Sequence, residues 1–491
     1  MDLYQEYLKK TGVYGKVKEM RHPLVTIEGL PEVRPNETII FEQGQKGQIL
    51  DIDEQQVHAL LFSNSPLPIH TKVTRTSEPI SIPLGPKLLG SMINPLGIPL
   101  GLNENTFEEQ ERRPLFTPAP GIDGRNKIDQ PFLTGVLKVD LLLPLGKGQR
   151  ELILGDVKTG KTSLVLSILE TQVKQPNTIT VYAAIGKRNS EINQLSTYLK
   201  TNNILQNSVV VASSASDSPS IIYLTPYAAM TIAEYYKDLG NDVVLILDDL
   251  STHAQSYREI SLLSRRFPGR ESYPGDIFFA HASLLERAGN FKHTKKKSVA
   301  ITCLPIASTV EGDITGYIST NLMGMTDGHI LFDVDIYNKG QRPAINIPLS
   351  VTRVGRQTQS DFLRSINVEI LSTLSQYTKL QNIAHLGSEL SDESKRTLEK
   401  GKALNVILQQ EKRIIPRDIQ IILFGLVWLG VADFSSETEY VNLLAGLLDL
   451  YSKEGNRKKI ESLTDAQSIS KFLITLKDSP EIMALCKVKL T

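Results

Sequence analysis

The distribution of apolar and polar positions changes character twice along the chain. Between residue 13 and about residue 76, short apolar runs are separated by turn residues such as Gly29, Asn36 and Gly44. Several short strands at this spacing predict a small β-barrel or a sandwich. A short amphipathic helix is predicted before them, in residues 1 to about 12. The predicted strands are residues 24–27, 38–41, 48–52 and 57–62.

After a stretch rich in Pro and Gly over residues 77–148, β-branched apolar runs alternate with segments of helical periodicity. Uninterrupted strands that alternate with helices predict a mostly parallel sheet covered on both faces. Ligands of such sheets bind at the carboxyl ends of the strands. The predicted strands are residues 151–154, 178–185, 208–212, 242–248 and 298–303.

The strand pattern ends near residue 361, and long helical periodicities follow it. Helices are predicted at residues 362–381, 391–410, 416–430 and 437–452, and their Leu, Ile and Val stripes are expected to form a core. The protein therefore divides into three predicted domains. These are an all-β barrel with a short leading helix (1–76), an α/β domain (77–360) and an α-helical bundle (361–491).

Composition narrows the possible partners. The 54 Lys and Arg residues balance 54 Asp and Glu residues, so bulk charge favours neither nucleic acid nor an anionic membrane surface. Cys303 and Cys486 match no metal-ligand or redox spacing, which indicates a reducing compartment. The N-terminus has no signal or transit character, and the longest apolar run, residues 421–432, is too short to span a bilayer. We expect contact with a membrane only through a complex.

One motif carries recognisable chemistry. Gly155-x-x-x-x-Gly160-Lys161-Thr162 follows a predicted strand and opens a predicted helix, the context of a phosphate-binding loop. The glycines let successive N–H groups face an anion, and the helix N-terminus adds its positive end. Lys161 is predicted to bind the β- and γ-phosphates, and Thr162 to bind Mg²⁺. The alternative is a chance match in a glycine-rich turn. The predicted binding residues are Gly155, Asp156, Val157, Lys158, Thr159, Gly160, Lys161, Thr162 and Ser163.

Asp248 ends the predicted strand 242–248, where a phosphate-loop protein keeps its magnesium-binding carboxylate. We predict that Asp248 holds Mg²⁺ through water. The alternative is an Asp that caps a helix beginning at Asp249, Ser251 or Thr252.

Several stretches of distinctive sequence occur in a fixed order. They are Gly148-Gln-Arg-Glu-Leu-Ile-Leu-Gly155, Asp248-Asp-Leu-Ser251, Pro268-Gly-Arg-Glu-Ser-Tyr-Pro-Gly-Asp276, Leu284-Leu-Glu-Arg-Ala288, Gly340-Gln-Arg-Pro-Ala-Ile-Asn346 and Ser350-Val-Thr-Arg-Val-Gly355. In order and spacing, this sequence resembles the alpha subunit of the rotary F-type ATP synthase over nearly its whole length.

The resemblance implies a barrel, a RecA-like P-loop nucleotide-binding domain and a helical bundle. It further implies a hexamer in which alpha subunits alternate with catalytic beta-type subunits around a central rotary stalk, with a peripheral stalk outside. Alpha subunits of this family bind ATP or ADP with Mg²⁺ without turning it over. The expected location is the cytoplasmic face of a bacterial plasma membrane as a peripheral, proton-translocating complex, or alternatively the matrix or stromal side of an organelle.

Catalytic members of the family carry Gly-Glu-Arg after the second strand, and the Glu positions the attacking water. Here the sequence reads Gly186-Lys187-Arg188, and a cation cannot accept the proton of that water. Glu191 lies nearby, but further along and on a predicted helix. The protein is therefore predicted to bind ATP and not to hydrolyse it unaided.

Other roles rest on the resemblance alone. Arg353 corresponds to the arginine that an alpha subunit inserts into the neighbouring beta site; the alternative is a structural Arg bonded to a nearby carboxylate. Arg342, Pro343 and Gln410 correspond to residues around the adenine base. Lys158 and Lys412 stand where the family usually has glutamines.

Two rival functions remain. The first is a self-sufficient hexameric ATPase, such as a secretion ATPase or a termination helicase, which Lys187 and the long helical C-terminus disfavour. The second is an interaction scaffold with a vestigial phosphate loop, which the intact Gly155, Lys161, Thr162 and Asp248 disfavour.

Overall fold

The computed structural model describes residues 3–54, 56–100, 111–294, 296, 298–384, 391–411, 413–432, 434 and 437–486. Within this part of the protein, a helix and six strands come first. They are α1 (Leu3–Thr11), β1 (Tyr14–Arg21), β2 (Leu24–Glu28), β3 (Glu37–Phe41), β4 (Lys46–Ile52), β5 (Val57–Leu61) and β6 (Lys72–Pro79).

The six strands form a closed antiparallel barrel. Their order is β1-β2-β5-β4-β3-β6, and β6 pairs with β1 to close it. Apolar side chains, including those of Val17, Ile27, Ile39, Phe41 and Ile49, fill its interior. The structure thus selects the barrel from the two architectures that the strand pattern allowed.

Short strands lead from the barrel to the central part of the sequence. They are β7 (Ser81–Leu84), β8 (Met92–Ile93), β9 (Glu111–Pro114), β10 (Pro131–Phe132) and β11 (Leu145–Gly146). A single π-helical turn, Lys138–Leu142, lies between the last two.

Strands and helices then alternate, as the sequence predicts. The elements are β12 (Glu151–Gly155), α2 (Lys161–Gln172), β13 (Thr178–Lys187), α3 (Asn189–Thr201), β14 (Ser208–Ser214), α4 (Pro219–Asp238), β15 (Asp242–Asp248), α5 (Leu250–Leu263), α6 (Ile277–Leu285), β16 (Gly289–Phe291), β17 (Val299–Ser308), α7 (Tyr317–Met325), β18 (Gly328–Phe332), α8 (Val334–Asn338) and β19 (Val351–Thr352).

Helices make up the C-terminal region. They are α9 (Asp361–Ala384), α10 (Asp392–Ile407), α11 (Arg417–Leu429), α12 (Glu437–Ser452), α13 (Glu454–Thr464), α14 (Ile469–Lys477) and α15 (Pro480–Met483). Helix α11 is the most apolar part of this region, with a continuous buried run from Ile419 to Val427. The fold class predicted from the sequence is confirmed.

The protein forms two compact units, each built from several segments. One comprises Met1–Lys127, Gly148–Val157 and Val173–Asp327, and the other comprises Ile128–Lys147, Lys158–Gln172 and Gly328–Thr491. The first contains the barrel and a parallel sheet of order β12-β17-β15-β13-β14-β8, with β16 antiparallel to β17. The second contains α2, the β18–β19 and β10–β11 pairs and the C-terminal helices. The boundaries at residues 76 and 360 stay a prediction.

The parallel strands are buried on both faces, which explains their unbroken apolar sequences. Strand β15 is buried from Val243 to Asp248, so its last residue is a carboxylate held away from solvent. Among the described residues, no helix combines the length and the apolar character needed to cross a membrane.

Candidate nucleotide-binding site

A buried strand leads into the glycine loop and a helix leads out of it. Strand β12 is buried throughout and ends at Gly155, and α2 begins at Lys161. The backbone φ angles of Gly155 (149°) and Gly160 (104°) lie in the region that side chains disfavour, so both positions require glycine. The strand, loop and helix follow one another as the motif predicts.

The side chains of the loop differ in what they can offer an anion. Lys161 is 9% exposed, whereas Lys158 and Thr162 are exposed. The first N–H groups of α2 have no acceptor within the helix, so this end of the helix suits a phosphate group. Asp156 has a different role. Its carboxylate accepts hydrogen bonds from the Thr309 hydroxyl and from the Gly312 N–H at 3.0 Å, which anchors the first part of the loop.

The carboxylate of Asp248 is already paired. Lys187 Nζ donates to Asp248 Oδ1 at 2.6 Å, and the Tyr182 hydroxyl donates to Asp248 Oδ2 at 2.6 Å. The Lys187 ammonium also lies 3.9 Å from Asp249 Oδ2. The side chains of Lys187 and Asp248 are 24% and 8% exposed, which places this ion pair mostly out of water.

The electrostatics of the cluster favour the charged lysine. Burial would lower the pKa of Lys187, but the carboxylates of Asp248 and Asp249 outweigh it and raise that pKa above its ordinary value. Burial also raises the pKa of Tyr182 well above its usual range, and the Asp248 carboxylate adds to this effect. Lys187 is therefore a cation and Tyr182 a neutral hydrogen-bond donor at physiological pH.

Two neighbouring acidic residues cap helices. Asp249 precedes α5, and its side chain accepts a hydrogen bond from the Thr252 N–H at 2.7 Å. The capping role that was the alternative for Asp248 thus belongs to Asp249. Glu191 lies in the first turn of α3, and its carboxylate accepts a hydrogen bond from the Arg188 N–H at 3.2 Å. This carboxylate therefore caps the N-terminus of α3.

Arg342, Pro343 and Gln410 are brought together. The Gln410 N–H donates to the Arg342 carbonyl at 2.7 Å. The side-chain amide of Gln410 donates to the carbonyls of Gly135 and Arg413, and its oxygen accepts from the Leu137 N–H at 2.9 Å. Both amide hydrogens are therefore used within the protein, and one lone pair of the oxygen has no donor among the described residues. Lys412, whose correspondence to a glutamine is an expectation from the sequence, lies outside the described residues.

Arg353 follows β19 and is exposed. Burial lowers the pKa of His329, and the Arg353 charge lowers it further. Among the described residues, no carboxylate forms an ion pair with Arg353. The alternative interpretation, a structural Arg bonded to a nearby carboxylate, therefore has no support there.

Two polar residues at these sites do not follow from the sequence pattern. Tyr182 is a phenol in an otherwise apolar strand, and β13 pairs with β15 so that Ala184 lies opposite Asp248. Side chains two residues apart in a strand lie on the same face of the sheet. Tyr182 therefore lies on the same face as Ala184, and knowledge of this register would have predicted its position beside Asp248. Lys138 donates to the Pro343 carbonyl at 2.7 Å, and burial lowers the pKa of Lys138 to about 8.

Comparison with known proteins agrees with this architecture. A phosphate loop at the end of a parallel strand defines the P-loop class of nucleotide-binding folds. The model of the nucleotide-binding domain of the ATP synthase alpha/beta family matches residues 135–352, and the model of the C-terminal domain of the ATP synthase alpha/beta chain matches residues 359–474. The protein belongs to the ATP synthase alpha/beta family.

Within the family, similar proteins include the alpha subunits of several bacteria. The sequence is 36% identical over 463 residues to ATP synthase subunit alpha of Sulfurovum sp. (strain NBC37-1), covering 92% of this protein and 91% of that one. It is 39% identical over 412 residues to ATP synthase subunit alpha 1 of Mycoplasmopsis pulmonis (strain UAB CTIP), covering 84% and 78%. It is 35% identical over 475 residues to ATP synthase subunit alpha of Clostridium botulinum (strain Alaska E43 / Type E3), covering 95% and 93%. The resemblance to alpha subunits is confirmed.

Proposed function

We propose that this protein is the non-catalytic, nucleotide-binding subunit of a proton-translocating rotary ATP synthase. The observation that carries the proposal is the Lys187 ammonium, which stands where a catalytic member has its Glu and is paired with Asp248. An ammonium cannot orient a water molecule for attack as a carboxylate does. Glu191 offers no replacement, because its carboxylate caps α3.

The glycine loop supports ATP or ADP binding. Its backbone and the start of α2 suit the phosphates, and the Lys161 ammonium supplies a cation. Arg342, Pro343 and Gln410 are proposed to lie beside the base, where the remaining lone pair of the Gln410 amide oxygen can accept from an amino group. Thr162 is exposed at the start of α2 and is the proposed magnesium ligand. When bound, Mg²⁺ neutralises phosphate charge. The water-mediated role predicted for Asp248 competes with its ion pair with Lys187.

Arg353 is proposed to act in a neighbouring beta-type subunit. Arg353 is exposed and has no carboxylate partner within the described residues. Both observations support the proposal that its guanidinium binds a ligand outside this subunit. An arginine supplied in trans stabilises charge on the transferred phosphoryl group, an effect of about 10³–10⁵ in rate. The proposed partners are beta-type subunits, a central rotary stalk and a peripheral stalk. The proposed location is the cytoplasmic face of a bacterial plasma membrane, or the corresponding face of an organelle membrane.

The experiment is reconstitution with a beta-type partner. The purified protein alone should bind ATP in calorimetry and show no turnover above background, whereas the mixed complex should hydrolyse ATP. Robust hydrolysis by the protein alone would instead support the self-sufficient hexameric ATPase. Absence of nucleotide binding, with assembly retained, would favour a scaffold.

A further inference from the structure

P-loop proteins use a carboxylate at the position of Asp248 to bind magnesium. In this protein, the Lys187 ammonium forms an ion pair with that carboxylate. The ammonium lies 2.6 Å from one oxygen of Asp248, and a phenol lies 2.6 Å from the other. Both oxygens therefore already accept a strong hydrogen bond from a neighbouring side chain. The donor set around Asp248 does not fit a carboxylate reserved for a metal ion.

The charge balance leads to the same conclusion. A carboxylate attracts Mg²⁺ because it is an anion, and Mg²⁺ binds through one or two carboxylates together with phosphate oxygens. The Lys187 charge cancels that of Asp248, and the low exposure of both groups keeps solvent from screening the pair. Asp249 cannot substitute, because one of its oxygens accepts from Thr252 and the other lies near the same ammonium.

We infer that Lys187 largely removes the contribution of Asp248 to Mg²⁺ binding, so that nucleotide binding by this protein depends only weakly on Mg²⁺, with Thr162 as the proposed ligand of the ion. In this arrangement Asp248 contributes little to metal affinity, since a divalent ion would have to displace Lys187 or share its carboxylate. The inference rests on the proposed nucleotide-binding function. It goes beyond that function because it assigns to Lys187 the control of how strongly nucleotide binding depends on Mg²⁺.

The test compares the ATP affinity of the full-length protein with Mg²⁺ and with EDTA, measured by isothermal titration calorimetry. For the unmodified protein, Mg²⁺ should change the dissociation constant by less than about threefold. For Lys187→Gln, which removes the charge and frees Asp248, Mg²⁺ should tighten binding by about tenfold or more.

Two further variants serve as controls for the charge of Lys187 and for its position. Lys187→Arg keeps the cation and should behave like the unmodified protein. Lys200→Gln removes an exposed lysine on α3 and should also leave the metal response unchanged. As a second readout, Mn²⁺ with ATP should give a bound electron paramagnetic resonance signal that is stronger in Lys187→Gln than in the unmodified protein or in Lys187→Arg.

The outcomes are distinct. A dissociation constant that falls about tenfold or more with Mg²⁺ in the unmodified protein would overturn this inference and leave the proposed function standing. An unchanged metal response in Lys187→Gln would do the same. Failure of every folded variant to bind ATP, with or without Mg²⁺, would overturn the inference and the proposed nucleotide binding together.

Discussion

At the scale of single residues, the chemistry that a charged group can offer depends on whether its charge is already paired. Arg353 is a cation for which we propose a ligand outside this protein, whereas Lys187 is bound to Asp248. Sequence comparison identifies both positions but does not say which charge is paired. Their roles therefore need separate substitutions.

Lys161→Ala should weaken ATP binding by about a hundredfold, because it removes the cation proposed to face the phosphates. Calorimetry on the purified protein measures the loss. Lys174→Ala is the matched control, since Lys174 is exposed just beyond the end of α2. Equal affinities for Lys161→Ala and the unmodified protein would mean that the loop no longer binds nucleotide.

Arg353→Lys should lower the ATPase rate of the complex reconstituted with a beta-type subunit by about 10³-fold. Lysine keeps the charge but loses the planar fork that binds two phosphoryl oxygens at once. Assembly, measured by size-exclusion chromatography, should be unaffected. Arg356→Lys, an exposed neighbour, serves as the control. Near-normal hydrolysis by Arg353→Lys would rule out the role in trans.

At the scale of elements, strands and long helices can be predicted because their apolar patterns are strong. The patterns predict β15 as Asp242–Asp248 and α12 as Glu437–Ser452, and both are found at those bounds. Helix α13 is not predicted, because its sequence is rich in charge and only Ile460 and Thr464 are buried. Its apolar periodicity is therefore too weak to recognise.

The candidate site can be predicted only as far as local sequence determines it. The loop lies within one run of residues, so its strand and helix context is readable. The pairing of Lys187, Tyr182 and Asp248 depends on the register of β13 against β15, which residue spacing alone does not give. The cap at Asp249 rather than Asp248 likewise depends on where the buried strand ends.

Two helix glycines should respond oppositely to alanine. At Gly401 in α10, an added Cβ would lie 2.2 Å from the Tyr377 ring of α9, so Gly401→Ala should cost about 1–3 kcal/mol in unfolding free energy. At Gly455 in α13, an added Cβ meets nothing within 4 Å. Gly455→Ala should be neutral or stabilise by about 0.5–1 kcal/mol. Urea unfolding measures both, and similar losses at the two sites would contradict this account of the α9–α10 packing.

At the scale of the whole molecule, a buried histidine pair should make the stability of the protein depend on pH. His253 Nδ1 lies 3.0 Å from His281 Nε2. Burial lowers the pKa of His281 to about 4 and that of His253 well below its ordinary value, and the neighbouring His281 lowers the pKa of His253 further. Both rings are therefore neutral in the folded protein near neutral pH.

Stability should fall as pH decreases below about 6.5, because the unfolded protein then binds protons that the folded protein does not. At about pH 5, His281 alone should cost on the order of 2 kcal/mol. Thermal unfolding across this range measures the slope. Replacing both histidines by Gln should flatten the slope, whereas His70→Asn, at an exposed position, should leave it unchanged. A slope that is the same in all three proteins would contradict the assignment to this pair.

The pairing of Lys187 with Asp248 also limits how this protein and a catalytic relative could evolve into each other. Changing Lys187 to Glu exchanges a cation for an anion, so the strand end would shift by two charge units in one step. Asp248 would then face a like charge that only a newly recruited cation could offset. By the inference drawn above, gaining the catalytic Glu at this position would change the metal response together with the charge.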